Sequence, residues 1–274
     1  MSRINGGAAY SRPPSPKFLT TRDRQLQEML RNREAVLEEN RQALKRVVSP
    51  YRPFHEVMED GAWKDEPCFI IGGGPSLKGF DFERLRGKGR IIVINKSFLD
   101  VPFADILYFM DGSRTTFYGL TKNNKLSPNV NSLEKWKAFQ GYKVYLNLVG
   151  RKLEDVYSVR ALGRTGISLS LKKGLYHGNN SGTGALGLAI CLQARPIYLL
   201  GIDGKFSKEK GIKKSHYHDG YQTRRVTESV FISFVKEFHK LGRLTNNRNI
   251  KVINLNPDSA VKCFPFMAID EVLG

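Results

Sequence analysis

From Cys68 onward the chain alternates short apolar runs with longer stretches whose apolar residues recur every three or four positions. The runs are Cys68–Ile71, Ile91–Ile94, Ile106–Met110, Val144–Leu148, Pro196–Leu200 and Val252–Leu255. The periodic stretches, predicted helices, are Phe80–Leu85, Leu133–Phe139, Thr183–Gln193 and Thr223–Leu241. A strand apolar on both faces belongs in a parallel sheet covered on both sides, and alternation with helices predicts an α/β architecture. The expected fold is a Rossmann-like, mostly parallel sheet with helices on both faces, spanning residues 60–274. Ahead of it, Leu26, Met29, Leu30, Val36, Leu37, Leu44 and Val47 fall near one helical face, predicting an N-terminal helix over 21–48. Ser49-Pro50-Tyr51-Arg52-Pro53 would end that helix, whose apolar face suits its own domain or a second copy of the chain. Residues 1–20, rich in Ser, Pro, Gly and Arg, read as a disordered basic tail.

The strand ends carry the candidate chemistry. They finish in Gly72-Gly73-Gly74, Asn95, Asp111, Gly201-Ile202-Asp203 and Asn254-Leu255-Asn256. In open α/β sheets, ligands bind beyond the carboxyl ends of the strands, where the strand order reverses. At the first end, glycine permits positive φ and close approach of a ligand. Pro75 suits the first turn of a helix. The amides and hydroxyl around Ser76 would then face an anion at a helix start, although a tight strand-to-helix turn explains the same residues. Asn179-Asn180-Ser181-Gly182-Thr183-Gly184 is a second such place, with Ser181 the expected N-cap and small residues that let a helix lie close on the sheet.

Asn95 suits either a base or sugar contact or a cap. Asp111 and Asp203 suit a ribose contact, a metal or general-base work, or else cap their own turns. No D-x-D pair occurs, which speaks against a metal-dependent sugar-nucleotide site, and no metal is expected. His216 and His218 flank Tyr217 ahead of Asp219, and histidine is the side chain best suited to accept a proton near neutral pH. Lysines 205, 208, 210, 213 and 214 lie just before them and read as a cover for phosphates, a polyanion contact or a solvated face.

Composition narrows the setting. The chain has 274 residues, 41% of them hydrophobic, so most of it folds. No apolar run approaches the roughly 20 residues that span a bilayer, and the N-terminus lacks the apolar segment of a secretory signal. Cys68, Cys191 and Cys263 sit in apolar surroundings without metal-ligand spacing, as reduced core residues of a cytoplasmic protein do. The net charge of +18 argues for a polyanionic partner, nucleic acid before membrane. Tyr217 and Tyr221 among the basic residues would suit stacking on a single strand.

Taken in order, Ile70-Ile71-Gly72-Gly73-Gly74-Pro75-Ser76-Leu77, Asn95, Ser181-Gly182-Thr183-Gly184-Ala185 and Ile197-Tyr198-Leu199-Leu200-Gly201-Ile202-Asp203 resemble one superfamily. It holds the bacterial Cst-type sialyltransferases and the 6-hydroxymethylpterin diphosphokinase-like (DUF115-type) proteins, with similar small proteins in bacteriophages. The resemblance runs from about Pro67 to Leu255. It implies a metal-independent glycosyltransferase whose nucleotide-sugar donor is held by Gly72, Gly74, Pro75, Ser76, Asn95, Ser181 and Gly182. His216 or His218 would be the base, and Gly73, Asp111, Asn180, Thr183 and Asp203 complete the expected site. The acceptor implied is a hydroxyl, for instance on a modified base in phage DNA, which would put the protein in the host cytoplasm. Gly73 stands where the sialyltransferases carry Asn, and 204–212 has lysines in place of their phosphate-assisting tyrosines. The diphosphokinase side of the resemblance implies instead an ATP- and Mg²⁺-dependent reaction on a small alcohol. A third class is a nucleotide- or nucleic-acid-binding protein without turnover.

Overall fold

The computed structural model describes Glu28 and residues 51–110, 132–147, 153, 155–209, 212–217 and 227–274. Apart from Glu28, the tail and the helix predicted over 1–48 lie outside these residues, as do Asp111, His218 and the polar loop predicted over 123–131.

Each predicted apolar run is a strand. In chain order the strands are β1 (Arg52–Pro53), β2 (Cys68–Ile71), β3 (Arg90–Ile94), β4 (Ile106–Phe109), β5 (Tyr142–Asn147), β6 (Tyr157–Gly163), β7 (Leu175–Tyr176), β8 (Ile197–Leu200), β9 (Ser207–Glu209), β10 (Ile212–Lys214) and β11 (Val252–Asn254). Four α-helices accompany them among the described residues: α1 (Ser132–Ala138), α2 (Ser181–Cys191), α3 (Glu228–Asn246) and α4 (Ile269–Leu273). The main sheet runs β1-β6-β5-β4-β3-β2-β8-β11, with β7 pairing β6, and all its pairings are parallel. β9 and β10 form a separate antiparallel hairpin. The fold is therefore the expected α/β sheet of Rossmann-like type.

Strand order reverses at β2. The chain steps outward from β2 through β3, β4, β5 and β6, then returns across the sheet through α2 to place β8 on the other flank of β2. This is the arrangement that opens a crevice at the carboxyl edge.

The period of two in each strand feeds two cores. Ile70, Ile92, Ile106 and Tyr108 face one layer together with Ala185, Leu188, Phe238 and Leu241 of α2 and α3. Phe69, Ile71, Val93, Leu107 and Phe109 face the other, against Leu77, Leu85, Trp136 and Leu273. α2 is buried nearly all round, as expected of a helix apolar on every side. α3 is amphipathic, burying Phe238, Leu241, Gly242 and Thr245 at three- and four-residue spacing.

The sheet flank at β11 does not end in open backbone. Asn254 N–H donates to Pro265 O (2.9 Å) and Met267 N–H donates to Asn254 O (3.3 Å), so the segment before α4 lies along the outer side of β11.

Candidate functional site

At the end of β2 the backbone does not stop pairing. Gly72 N–H donates to Leu200 O and Gly74 N–H to Gly201 O, both at 2.8 Å, so the triple-glycine turn stays zipped to the end of β8. A Cβ on Gly72 would sit 2.5 Å from Gly201 O, and one on Gly74 the same distance from the Asp203 carboxyl carbon. These glycines thus permit close approach of two strand ends. The positive φ expected of them is absent, whereas Gly201 across the gap has φ +61°.

The expected helix after Pro75 is a single 3₁₀ turn, Pro75–Leu77. Its Ser76 amide and hydroxyl both donate to the Asp203 carboxylate, at 2.8 and 2.6 Å. Asn256 Nδ2 adds a third bond at 2.8 Å. Asp203 is buried, and its own carbonyl accepts from Ala260 N–H at 2.7 Å. The Ser76 amide, read from sequence as a phosphate donor, is satisfied within the protein. Asp203 is the clamp that ties the ends of β2, β8 and β11 together.

One strand over, Asn95 leaves β3 with φ +52°, and its Oδ1 is buried without a hydrogen-bond partner. Ser97 Oγ donates to Gly72 O (2.8 Å), fixing the β3 exit against the glycine turn. Lys96 between them is buried, and desolvation lowers its pKa from the usual lysine range.

The head of α2 is built by Asn180, not by Ser181. Asn180 Oδ1 accepts from Thr183 N–H (2.9 Å), while Ser181 is the first residue inside the helix. Thr183 Oγ1 donates to His177 O (2.6 Å) and Asn180 Nδ2 to Gly178 O (3.2 Å), so the loop before the helix folds onto the helix start. A Cβ on Gly182 would meet the Phe238 ring at 2.8 Å, and one on Gly184 would press on the Tyr108 phenol. The Tyr108 hydroxyl itself is wholly buried in β4 and has no partner, and burial pushes its pKa far up.

His177, which the sequence reading passed over, is the buried histidine at this end of the sheet. Its Nδ1 accepts from Asn179 N–H (3.0 Å), which leaves the ring proton on Nε2. Burial, with help from the Arg164 charge and against Glu237, holds its pKa below the ordinary value. The signal that marks it in the sequence is its place immediately ahead of Gly178-Asn179-Asn180-Ser181-Gly182. Beside it Arg164, Thr165, Gly178, Thr183, Glu237 and Lys240 line a small cleft. Burial works to raise the Glu237 carboxyl, but bonds from Lys240 (2.8 Å) and Thr165 (3.3 Å) and the Arg164 charge hold it below the usual carboxylate range.

The histidine loop returns to the rim. Tyr217 N–H donates to Gly73 O (3.0 Å), its hydroxyl donates to Asp100 (2.8 Å), and its ring lies 5.8 Å from that of Phe82. His216 Nδ1 lies 2.8 Å from Ser215 Oγ. Which of the two is the donor depends on the tautomer of the ring.

Backbone or side-chain bonds thus gather Gly72, Gly73, Gly74, Pro75, Ser76, Asp203 and the His216 segment, with Asn95 joined through Ser97. Asn180, Ser181, Gly182 and Thr183 sit at the same edge but over β4, two strand spacings (roughly 10 Å) from β2. Among the described residues no hydrogen bond joins the two groups. Asp111 and His218 lie outside the described residues. Among the described residues no cluster of three or more His, Cys, Asp or Glu gathers as a metal site, and no helix is long and apolar enough to cross a membrane.

No protein-family model and no curated protein matches the chain. Among solved structures it is similar to the sialyltransferase CstII from Campylobacter jejuni, determined in complex with a substrate analogue, CMP-3FNeuAc. The identity is 17% and the TM-score 0.41, over 74% of this chain and 86% of that one.

Proposed function

We propose that this chain is a metal-independent glycosyltransferase that moves a sugar from a nucleotide-sugar to a hydroxyl acceptor at the carboxyl edge of the sheet. The observation that carries the reading is the Tyr217–Gly73 bond, which holds a histidine loop against a strand-end turn at the point where strand order reverses. The motif resemblance from Ile70 to Asp203 supports the same reading. So does the Asn95 amide oxygen at the end of β3, a buried polar atom without a hydrogen-bond partner among the described residues.

In this reading His216 Nε2, or His218, takes the acceptor proton as the acceptor oxygen bonds to the anomeric carbon. The bond from that carbon to the nucleotide phosphate breaks, and its electron pair leaves on the phosphate oxygen. The Ser181 and Gly182 amides at the head of α2 stabilise that developing charge, the Thr183 amide being taken by Asn180. Asp203 is a positioning residue, since its carboxylate is spent on Ser76 and Asn256. The acceptor is a hydroxylated base in nucleic acid, in keeping with the +18 charge.

A thermal-shift screen of CMP-, UDP- and GDP-sugars and ATP tests the donor. The correct one at 100 times its Kd adds about 2.7 kcal/mol of stability. With that donor, EDTA leaves turnover unchanged and His216→Ala with His218→Ala lowers kcat about 10²- to 10⁴-fold. Stabilisation by ATP alone, with turnover abolished by EDTA, would establish the diphosphokinase chemistry instead.

A further inference from the structure

We propose that His177 is a hydrogen-bond donor to a phosphate group, that of the nucleotide in the proposed transfer, acting from the turn that leads into α2. The inference deepens the transferase reading and rests on it for the nucleotide; the bond itself needs only a phosphate. The tautomer decides what this ring can do. A backbone amide can only donate, so the bond from Asn179 N–H (3.0 Å) makes Nδ1 an acceptor and leaves the proton of the neutral ring on Nε2. A ring held that way does not serve as a base, because its one lone pair is spent on the loop and its far side presents N–H. It suits the holding of an anion, where His216 or His218 is asked to take a proton.

The surroundings of His177 favour that use. The residue is only 7% exposed. Its amide donates to Gly163 O (3.0 Å), and its carbonyl accepts from Asn180 N–H (3.0 Å) and Thr183 Oγ1 (2.6 Å). Three backbone bonds and one ring bond thus fix the imidazole ahead of Ser181, the first residue of α2. Nε2 has no hydrogen-bond partner among the described residues, and it is not sealed from solvent as the Asn95 and Tyr108 oxygens are. A largely buried N–H without a partner carries a desolvation cost that an arriving acceptor recovers. The Ser181 and Gly182 amides, orphan donors of a helix start, follow directly in the chain at the positive end of the helix dipole. The charged groups nearby lean the same way, since Arg164 and Lys240 stand against the single carboxylate of Glu237. Burial and the Arg164 charge keep the ring neutral at pH 7, so the group on offer is an N–H and not an imidazolium.

Two substitutions separate this role from support of the loop alone. His177→Asn puts an amide oxygen where Nδ1 accepts and leaves no donor at the position of Nε2. His177→Gln does the converse, bringing an amide N–H within reach of the Nε2 position and giving up the Nδ1 acceptor. The test is isothermal titration calorimetry of the full chain at pH 7.5 with inorganic pyrophosphate and with CMP, UDP and GDP. His177→Asn should weaken pyrophosphate, and whichever nucleotide binds the wild type, about 10- to 100-fold, and His177→Gln by no more than about threefold. Thermal unfolding verifies that both variants fold. In the wild type the His177 Nε2–H signal, assigned by its absence from the His177→Gln spectrum, should move when pyrophosphate is added. An unmoved signal overturns the proposal whatever the variants do. So does unchanged affinity in His177→Asn, or a loss in His177→Gln as large as that in His177→Asn, which would mark the ring as a loop support. Pyrophosphate bound through His177 with no nucleotide bound would keep the donor role and end the transferase reading. A nucleotide bound independently of His177 would do the reverse, and binding of none of these anions would overturn both.

Discussion

Asp203 shows how one buried side chain can organise a rim. Asp203→Ala leaves the Ser76 amide, the Ser76 hydroxyl and the Asn256 amide without their acceptor. The loss should be about 3 kcal/mol, read as a lower urea midpoint, with Asp203→Asn falling between the two. Tyr108 makes the opposite case. Its buried hydroxyl has no partner, so Tyr108→Phe should leave stability of the free chain within about 0.5 kcal/mol or raise it. His177 links the α2 head to pH. Its pKa is depressed in the fold by burial and by Arg164, so the folded state prefers the neutral ring. The associated stability is complete above about pH 6.5 and drains away as pH falls from there through the lower folded value. Glu237, Arg164 and Lys240 face the same region, and bonds from Lys240 and Thr165 outweigh burial and hold the Glu237 carboxyl below the usual carboxylate range. His177→Gln should flatten the stability profile between pH 5 and 6.5 in equilibrium unfolding. At this scale the sequence was legible in part: the glycines at 72–74 and the carboxylate at 203 each stand just beyond a strand, as the apolar runs before them imply. Their use was not readable, because a one-dimensional string does not reveal that the carboxylate and the serine amide satisfy one another across 127 positions.

Among elements, the strands buried on both faces were the easiest to read. β2, β3 and β4 are runs of four or five residues with scarcely a polar position, and no other element tolerates that composition at that length. β6 escaped notice because Tyr157-Ser158-Val159-Arg160 alternates with polar residues near the sheet flank, where Ser158 turns back to bond Tyr51 O. The hairpin β9–β10 was hidden inside a charge run. The N-cap of α2 was misplaced by one residue, since Asn180 and Ser181 are both good caps and only the Thr183 amide selects between them. Asn180→Ala should therefore cost about 1 kcal/mol in thermal unfolding. Gly184→Ala should cost about 1–3 kcal/mol, because its methyl group would press on the Tyr108 phenol. Adding Tyr108→Phe should recover part of that loss and not all of it, since the ring carbons stand 2.8 Å from the new methyl. A double-mutant cycle in urea measures the coupling.

Across the region 51–274 one sheet serves two apolar layers, and each layer holds one tryptophan: Trp63 beneath α2 and Trp136 in α1 on the opposite side. Because both layers lean on the same strands, neither should melt alone. Trp63→Phe and Trp136→Phe variants, each reporting one layer by fluorescence, should give urea midpoints that coincide with far-ultraviolet circular dichroism of the same protein. The segment lying along β11 has a further consequence for behaviour in concentrated solution. A bare terminal strand is a template on which foreign chains can add themselves rung by rung. Here the Asn254 rung of that template is already taken by Pro265 O and Met267 N–H of the molecule's own backbone. At that rung the molecule occupies with its own backbone a place where a second chain could otherwise begin to add.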